Sequence, residues 1–202
     1  KSMLADKVNV DLYTGKSKSK AFKIDFPAYV QPKLDGLRGV TYLKNNEIFI
    51  QSRAGNVFDN FNILKNQLKN IFNIVGEDIY IDGELFTDEF SFQELSGLVR
   101  LTSEKVTELE LKKIDKIKYN IFDIYFVNTP EMPFRERIEK LKQLMEIKSI
   151  NLIHLVETSL INDFKKADEM HDMYVSRGGE GLMIRDINSI YEPNKRSKFL
   201  QK

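Results

Sequence analysis

The chain has 202 residues, enough to bury a real core as one domain, or as one domain with a small appendage. It contains no cysteine and two histidines, His154 and His171. That excludes a disulfide framework, a zinc–thiolate centre and a cysteine nucleophile, and argues against a histidine metal site or triad. With a formal net charge of +1 it is not a strongly basic nucleic-acid binder overall. No apolar run is long enough to span a membrane and the N-terminus lacks a signal-peptide core, so an intracellular location (cytoplasm, nucleoid or virus-infected cell) is expected.

Residues 1–25 read as an irregular lead-in, with Met3-Leu4-Ala5 as an anchor. Lys16, Lys18, Lys20 and Lys23 form a cationic cluster there, and Lys195, Arg196, Lys198 and Lys202 form another at the C-terminus. Either cluster suits phosphates or a solvated end. Residues 28–32 read as a strand. Residues 37–43 and 47–52 read as a hairpin closed at Asn45-Asn46. Phe58, Phe61, Leu64, Leu68, Ile71, Phe72 and Val75 recur at helical spacing, with Gly76 as the stop. Residues 78–86 alternate as a strand. Ser91 and Glu94 have the spacing of a capping box for a helix through Val99.

Residues 118–127 form an apolar strand, and Pro133 opens a helix through Ile147. A strand is expected over 152–156, a helix over 163–176 ended by Gly178-Gly179, a strand over 181–185, and the start of another in the tail. Hairpin-like connections among alternating elements favour an α+β fold with antiparallel sheets flanked by helices over a doubly wound parallel sheet.

One segment stands out: Gln31-Pro32-Lys33-Leu34-Asp35-Gly36-Leu37-Arg38. It sets a lysine at a strand end, followed by an acid, a glycine and an arginine. A lysine amine becomes nucleophilic when its surroundings favour the neutral form. Asp35 is placed to orient that amine or a metal, Gly36 allows a tight turn and close ligand approach, and Arg38 offers a planar fork to phosphate. Four more segments fit a nucleotide site. Arg53 in Ser52-Arg53-Ala54-Gly55 projects from a strand end into a turn. Asp82-Gly83-Glu84 ends another strand, with Glu84 facing a ribose or Mg²⁺. Phe122 in Tyr119-Asn120-Ile121-Phe122-Asp123 suits base stacking. Glu180 follows a double glycine and precedes a strand. Each has a plainer reading, as a surface turn, a surface charge or a core aromatic; their joint occurrence in this order favours a nucleotide site.

These motifs resemble those of the nucleotidyltransferase domain of ATP-dependent DNA ligases. Its superfamily of covalent nucleotidyltransferases also holds RNA ligases and mRNA-capping guanylyltransferases. The motifs that carry the resemblance are Lys33 to Arg38, Ser52 to Gly55, Asp82-Gly83-Glu84-Leu85, Tyr119 to Ile124, and Glu180-Gly181-Leu182-Met183-Ile184-Arg185. Arg196-Ser197 and Lys202 resemble the start of a further one. The resemblance implies a nucleotidyltransferase (ATP-grasp-like) core over residues 1–202. Lys33 would attack the α-phosphorus of ATP and become the lysyl-AMP. Gln31, where many relatives carry Glu, would lie at the adenine edge. Phe122 would stack on adenine, and Lys202 would touch the α-phosphate. Glu84 would bind ribose or metal, and Glu180 would help hold the divalent ion, Mg²⁺ or Mn²⁺. Arg38 and Arg53 would hold ribose and phosphates, including the 5′-phosphate of a nick, with Arg196 on DNA phosphate as well.

The implied partners are ATP and nicked duplex DNA, bound through phosphates without regard to base sequence, and no membrane. The last motif usually carries two lysines, whereas the sequence stops at Lys202. The oligonucleotide-binding-fold domain that normally follows is therefore expected to be absent, and self-adenylation by this chain to be slow or absent. RNA ligase and capping guanylyltransferase cores are the enzyme alternatives. A non-catalytic nucleotide- or DNA-binding module is the alternative of another class.

Overall fold

A computed structural model describes residues 2–6, 24–76, 78–146 and 150–202. The Lys16, Lys18, Lys20 and Lys23 cluster lies outside the described residues, as does the side chain of Arg196. The strands are β1 Leu4–Asp6, β2 Ala28–Pro32, β3 Leu37–Lys44, β4 Glu47–Ser52, β5 Ile79–Phe86, β6 Lys118–Phe126, β7 Ile153–Leu155, β8 Ser159–Ile161, β9 Leu182–Asp186 and β10 Arg196–Gln201. The helices are α1 Asn62–Val75, α2 Phe92–Val99, α3 Glu108–Ile114, α4 Phe134–Met145 and α5 Phe164–Ser176. They divide into two compact units, one built from Asp35–Met132 and Glu136–Val156, the other from Ser2–Leu34, Pro133–Arg135 and Glu157–Lys202.

The first unit holds a five-stranded sheet in the order β4-β3-β5-β6-β7. Asn45 and Asn46 take φ of 50° and 64°, the left-handed pair that a two-residue hairpin turn requires, and they close β3 onto β4 as expected. All pairings are antiparallel except β6 with β7, which are parallel and joined through α4. α1 buries Leu64, Leu68, Ile71 and Phe72 on one stripe, and Gly76 ends it at φ 86° with its N–H on the Phe72 carbonyl at 2.8 Å. The helix starts at Asn62, not at Phe58. Phe58 instead continues the pairing with β4, donating its N–H to Ile50 O at 2.9 Å, and Phe61, at the N-cap, has no side-chain acceptor for the first turn.

Ser91 caps α2 by accepting the Glu94 N–H at 3.3 Å, but the reciprocal half of the capping box is absent because the Glu94 carboxylate pairs with Lys113 on α3. A complete box sits one helix later, at Thr107 and Glu110, on a helix that the apolar spacing did not announce. α4 ends at Met145; Ile147 lies outside the described residues.

The second unit holds a five-stranded sheet in the order β1-β10-β9-β2-β8. Residues 4–6 are therefore not irregular. They run parallel to β10, with the Leu4 N–H on Lys195 O at 2.8 Å and the Lys202 N–H on Asp6 O at 2.9 Å, so backbone groups that no local pattern predicts are satisfied by the far end of the chain. The other pairings are antiparallel. Asp163 caps α5 by accepting the Lys166 N–H at 2.8 Å. Gly178 at φ 86° and the Gly179 N–H on Tyr174 O at 2.9 Å end it. Ala28, Val30, Ile161, Ala167, Met170, Tyr174, Leu182 and Ile184 form the core between α5 and the sheet. The fold is thus α+β with mainly antiparallel sheets, each sheet holding one parallel pair. Among the described residues no helix is long and apolar enough to cross a membrane.

Asp82-Gly83-Glu84 lies in the interior of β5, not at its end, because β5 stays paired through Phe86. A Cβ on Gly83 would meet Asn120 O at 2.7 Å and the Tyr119 ring at 2.7 Å, so glycine is needed for close approach of strands and not for a turn. A Cβ on Gly97, in α2, would meet nothing within 4 Å. Gly83→Ala is expected to destabilise by about 1–3 kcal/mol. Gly97→Ala should stabilise by about 0.5–1 kcal/mol. Urea denaturation midpoints of the two variants should move in opposite directions.

Candidate active site

In the second unit the site is laid out by β2 and β9. Their register ends at Pro32 opposite Leu182, and the Lys33 N–H continues it by donating to Gly181 O at 2.9 Å. Lys33 therefore leaves β2 beside the residue that precedes Gly181. Its Nζ forms an ion pair with Glu180, both side chains being partly exposed. Gly181, at φ 128°, allows the tight passage from Glu180 into β9; a Cβ there would meet His171 Nε2 at 3.2 Å. Gln31 lies two residues before Lys33 and so on the same face of β2. The residue is 3% exposed, and its amide donates from Nε2 to Thr158 Oγ1 at 2.9 Å. Lys202 is exposed, just beyond β10.

In the first unit β3, β5 and β6 carry other sequence-derived residues. Arg38 stands opposite Glu84, and its fork reaches diagonally to the Asp82 carboxylate, Nε to Oδ1 at 2.8 Å and Nη2 to Oδ2 at 2.5 Å. Between the pairs Asp82–Asp123 and Gly83–Ile121 the β6 strand has one residue too many. That residue is Phe122. A bulge re-aims its side chain, and Phe122 here lies under the Arg38 guanidinium, 5.1 Å from Cζ to ring centroid. Glycine at position 36 is required by the chain itself: a Cβ there would meet Leu85 O at 2.4 Å and Glu84 Cγ at 2.7 Å. Arg53 is exposed on the turn after β4, which is closed by the Gly55 N–H on Ser52 O at 3.0 Å and the Gln51 amide on Gly55 O at 2.8 Å.

Tyr119 is fully buried, so it is not a base platform; its hydroxyl lies 2.9 Å from both Gly39 O and Ile81 O. Burial, with the Asp82 carboxylate adding to it, pushes that phenol well above the ordinary tyrosine value of 10.0. No group of three or more metal-ligating side chains occurs among the described residues.

The family model of the ATP dependent DNA ligase domain matches residues 3–202. The chain belongs to that family. A DNA ligase of African swine fever virus (isolate Pig/Kenya/KEN-50/1950) is 27% identical over 174 residues, 85% of this chain and 39% of that protein. The DNA ligase of Enterobacteria phage T4 is 26% identical over 219 residues, 89% of this chain and 44% of that protein. The chain thus spans well under half the length of these curated relatives. Among solved structures, the Chlorella virus DNA ligase-adenylate matches all of this chain and 67% of its own, with a TM-score of 0.70 and 21% identity, a likeness of fold.

Placed on this ligase domain, the sequence-derived residues divide by unit. Lys33 and Glu180 are in contact, and Arg38, Phe122 and Glu84 share one sheet region. Three interactions were not announced by the motifs: Asp82 as the partner of Arg38, Thr158 as the partner of Gln31, and the ion pair of Asp123 with Arg137 at 2.8 Å, both nearly fully buried. Asp82 and Asp123 stood beside the quoted glycine and aromatic; Thr158 carries no sequence signal.

A phenol whose folded value is raised stays protonated when the unfolded chain begins to ionise. Its contribution is therefore complete below the ordinary value of 10.0 and is lost as pH rises through the higher folded value. Tyr119→Phe should cost roughly 1 kcal/mol at neutral pH. The fall in stability above pH 10 should be shallower in the variant, which stability measured from pH 8 to 11 will show.

Proposed function

We propose that this chain is the adenylation core of an ATP-dependent DNA ligase, with Lys33 as the nucleophile. The supporting observation is the Lys33 amine held against Glu180 where β2 and β9 part. In the proposed step the neutral Nζ attacks the α-phosphorus of ATP, a P–N bond forms, and the bond to pyrophosphate breaks. Attack needs the neutral amine, so the ammonium first gives up a proton, which its partner Glu180 can accept, and the nitrogen gives up a second as the phosphoramidate forms. In the complete ligase the AMP then passes to the 5′-phosphate of a nick, and the 3′-hydroxyl displaces it. Phe122 is proposed to stack on adenine, Gln31 to meet its edge, Arg38 and Glu84 to hold ribose and phosphate, and Lys202 to touch the α-phosphate.

Glu84 and Glu180 are the oxygen donors proposed for Mg²⁺ or Mn²⁺, which would neutralise phosphate charge. A hard cation of this kind keeps several waters and binds through one or two carboxylates plus substrate phosphates. Nicked duplex DNA is the proposed partner, with Arg38, Arg53 and Arg196 on phosphates.

The test is intact mass after incubation with ATP and Mg²⁺. A slow gain of one AMP, lost in Lys33→Ala and not matched by GTP, is expected, or, without an adduct, a rise in melting temperature with ATP. No adduct together with no thermal stabilisation by ATP would overturn the reading. Arg53→Ala should leave the adduct detectable. It should lower the slope of log affinity for nicked duplex against log salt by about 1.

A further inference from the structure

We propose that Arg137 is a positioning residue for the adenine, acting through Asp123 on the bulged Phe122. This rests on the reading of Phe122 given above and adds to it the residue that aims the ring. Phe122 is the extra residue of β6, so regular alternation along the strand does not set its direction. The residue after it is Asp123, whose carboxylate takes the Arg137 fork, Nε on Oδ1 at 2.8 Å and Nη2 on Oδ2 at 3.1 Å. Oδ1 also accepts the Ile124 N–H at 2.8 Å, and Arg137 Nη1 donates to Met132 O at 2.6 Å. The Arg137 and Asp123 side chains are 1% and 0% exposed. A planar fork on both oxygens fixes the carboxylate in direction as well as distance, and with it the backbone that carries Phe122.

Asp82 and Asp123 are opposed in the register of β5 and β6, and like charges directly opposite repel. Each carboxylate is met by its own arginine. Arg38 forks onto Asp82, with Nε on Oδ1 at 2.8 Å, and Arg137 forks onto Asp123. The Arg38 guanidinium also lies over the Phe122 ring, 5.1 Å from its centroid. Without a fork at position 137 the buried Asp123 charge would compete for Arg38 and draw it from Asp82. Arg137 thereby aims the ring in two ways, through the backbone of the bulge and by leaving Arg38 with Asp82.

The experiment measures binding of two ligands with Mg²⁺ to the full chain by calorimetry: α,β-methylene ATP, which cannot give up its AMP, and the same methylene triphosphate on ribose without a base. A stacked base is worth roughly five- to hundredfold in affinity, and the wild type should show that preference. Phe122→Ala should lose most of it. Arg137→Lys, which keeps the charge and loses the fork, should lower the preference by roughly threefold or more, and should lower it no further when Phe122→Ala is already present. A merely structural role would weaken both ligands in proportion and leave the preference unchanged; that result overturns the proposal. Should Arg137→Lys fail to fold, Asp123→Leu/Arg137→Met is read in its place, because apolar groups of similar volume replace a buried pair at little cost in stability. A wild type that binds both ligands equally, or a Phe122→Ala variant that keeps the full preference, overturns the stacking reading itself, a distinct outcome.

Discussion

In the second unit the placement of Gln31, Lys33 and Glu180 depends on the antiparallel register of β2 against β9. Val30 pairs with Ile184, and both are buried in the core against α5, while Gln31 and Lys33 alternate to the other face. A slip of one residue would exchange the faces, putting Lys33 against the core and Val30 outside it. The apolar residues that merely stabilise the unit thereby also choose which face the amine occupies. The Lys33 N–H on Gly181 O extends that register one residue beyond the strand, so the amine and the Glu180 carboxylate meet with little chain left to order.

The first unit solves a related problem with a bulge. Regular alternation would leave Phe122 in step with its neighbours on β6, and the extra residue frees it to lie under Arg38. A bulge disrupts its own ladder, so something must hold it. Asp123 does so from the next position: it accepts the Arg137 fork at 2.8 and 3.1 Å, and its Oδ1 also takes the Ile124 N–H at 2.8 Å. Removing one partner of a buried pair of this kind typically costs about 3–5 kcal/mol, much of it from the charge left behind. Asp123 and Arg137 are thus best understood as the anchor of the bulge, whereas Asp82, equally buried, orients the partly exposed Arg38, a cation that the proposed chemistry uses.

Features set by near neighbours are legible in the amino-acid order alone. The Asn45-Asn46 hairpin, the Gly76 stop, the Asp163 cap and the Lys33 motif each depend on a few adjacent residues whose chemistry allows little else. Features that local patterns do not announce depend on distant partners. Leu4–Asp6 is a strand because β10 supplies its hydrogen bonds, and three residues of alternation are too few to reveal it. β8 is equally short. Asp82-Gly83 looks like a turn locally and is the middle of a strand because Gly83 lets Tyr119 and Asn120 come close from β6. Thr158 is silent for the same reason: its partner Gln31 lies across the sheet.

The proposed reaction makes a particular demand on such a scaffold. Phosphoryl transfer leaves little covalent work to the protein beyond the nucleophile itself; positioning and charge do most of it. Groups on paired strands hold their directions better than groups on loops. Lys33, Gln31, Arg38, Glu84 and Phe122 all lie on strands or at most one residue beyond a strand end. Arg53 also stands one residue beyond a strand end, at the start of a turn that internal hydrogen bonds stiffen, and it is assigned the role that tolerates most freedom, attraction to a phosphate; Glu180, two residues before β9, is the one farther from a strand. The division follows from the physics: a point charge acts through distance and screening, whereas attack on phosphorus and recognition of a base edge act through direction.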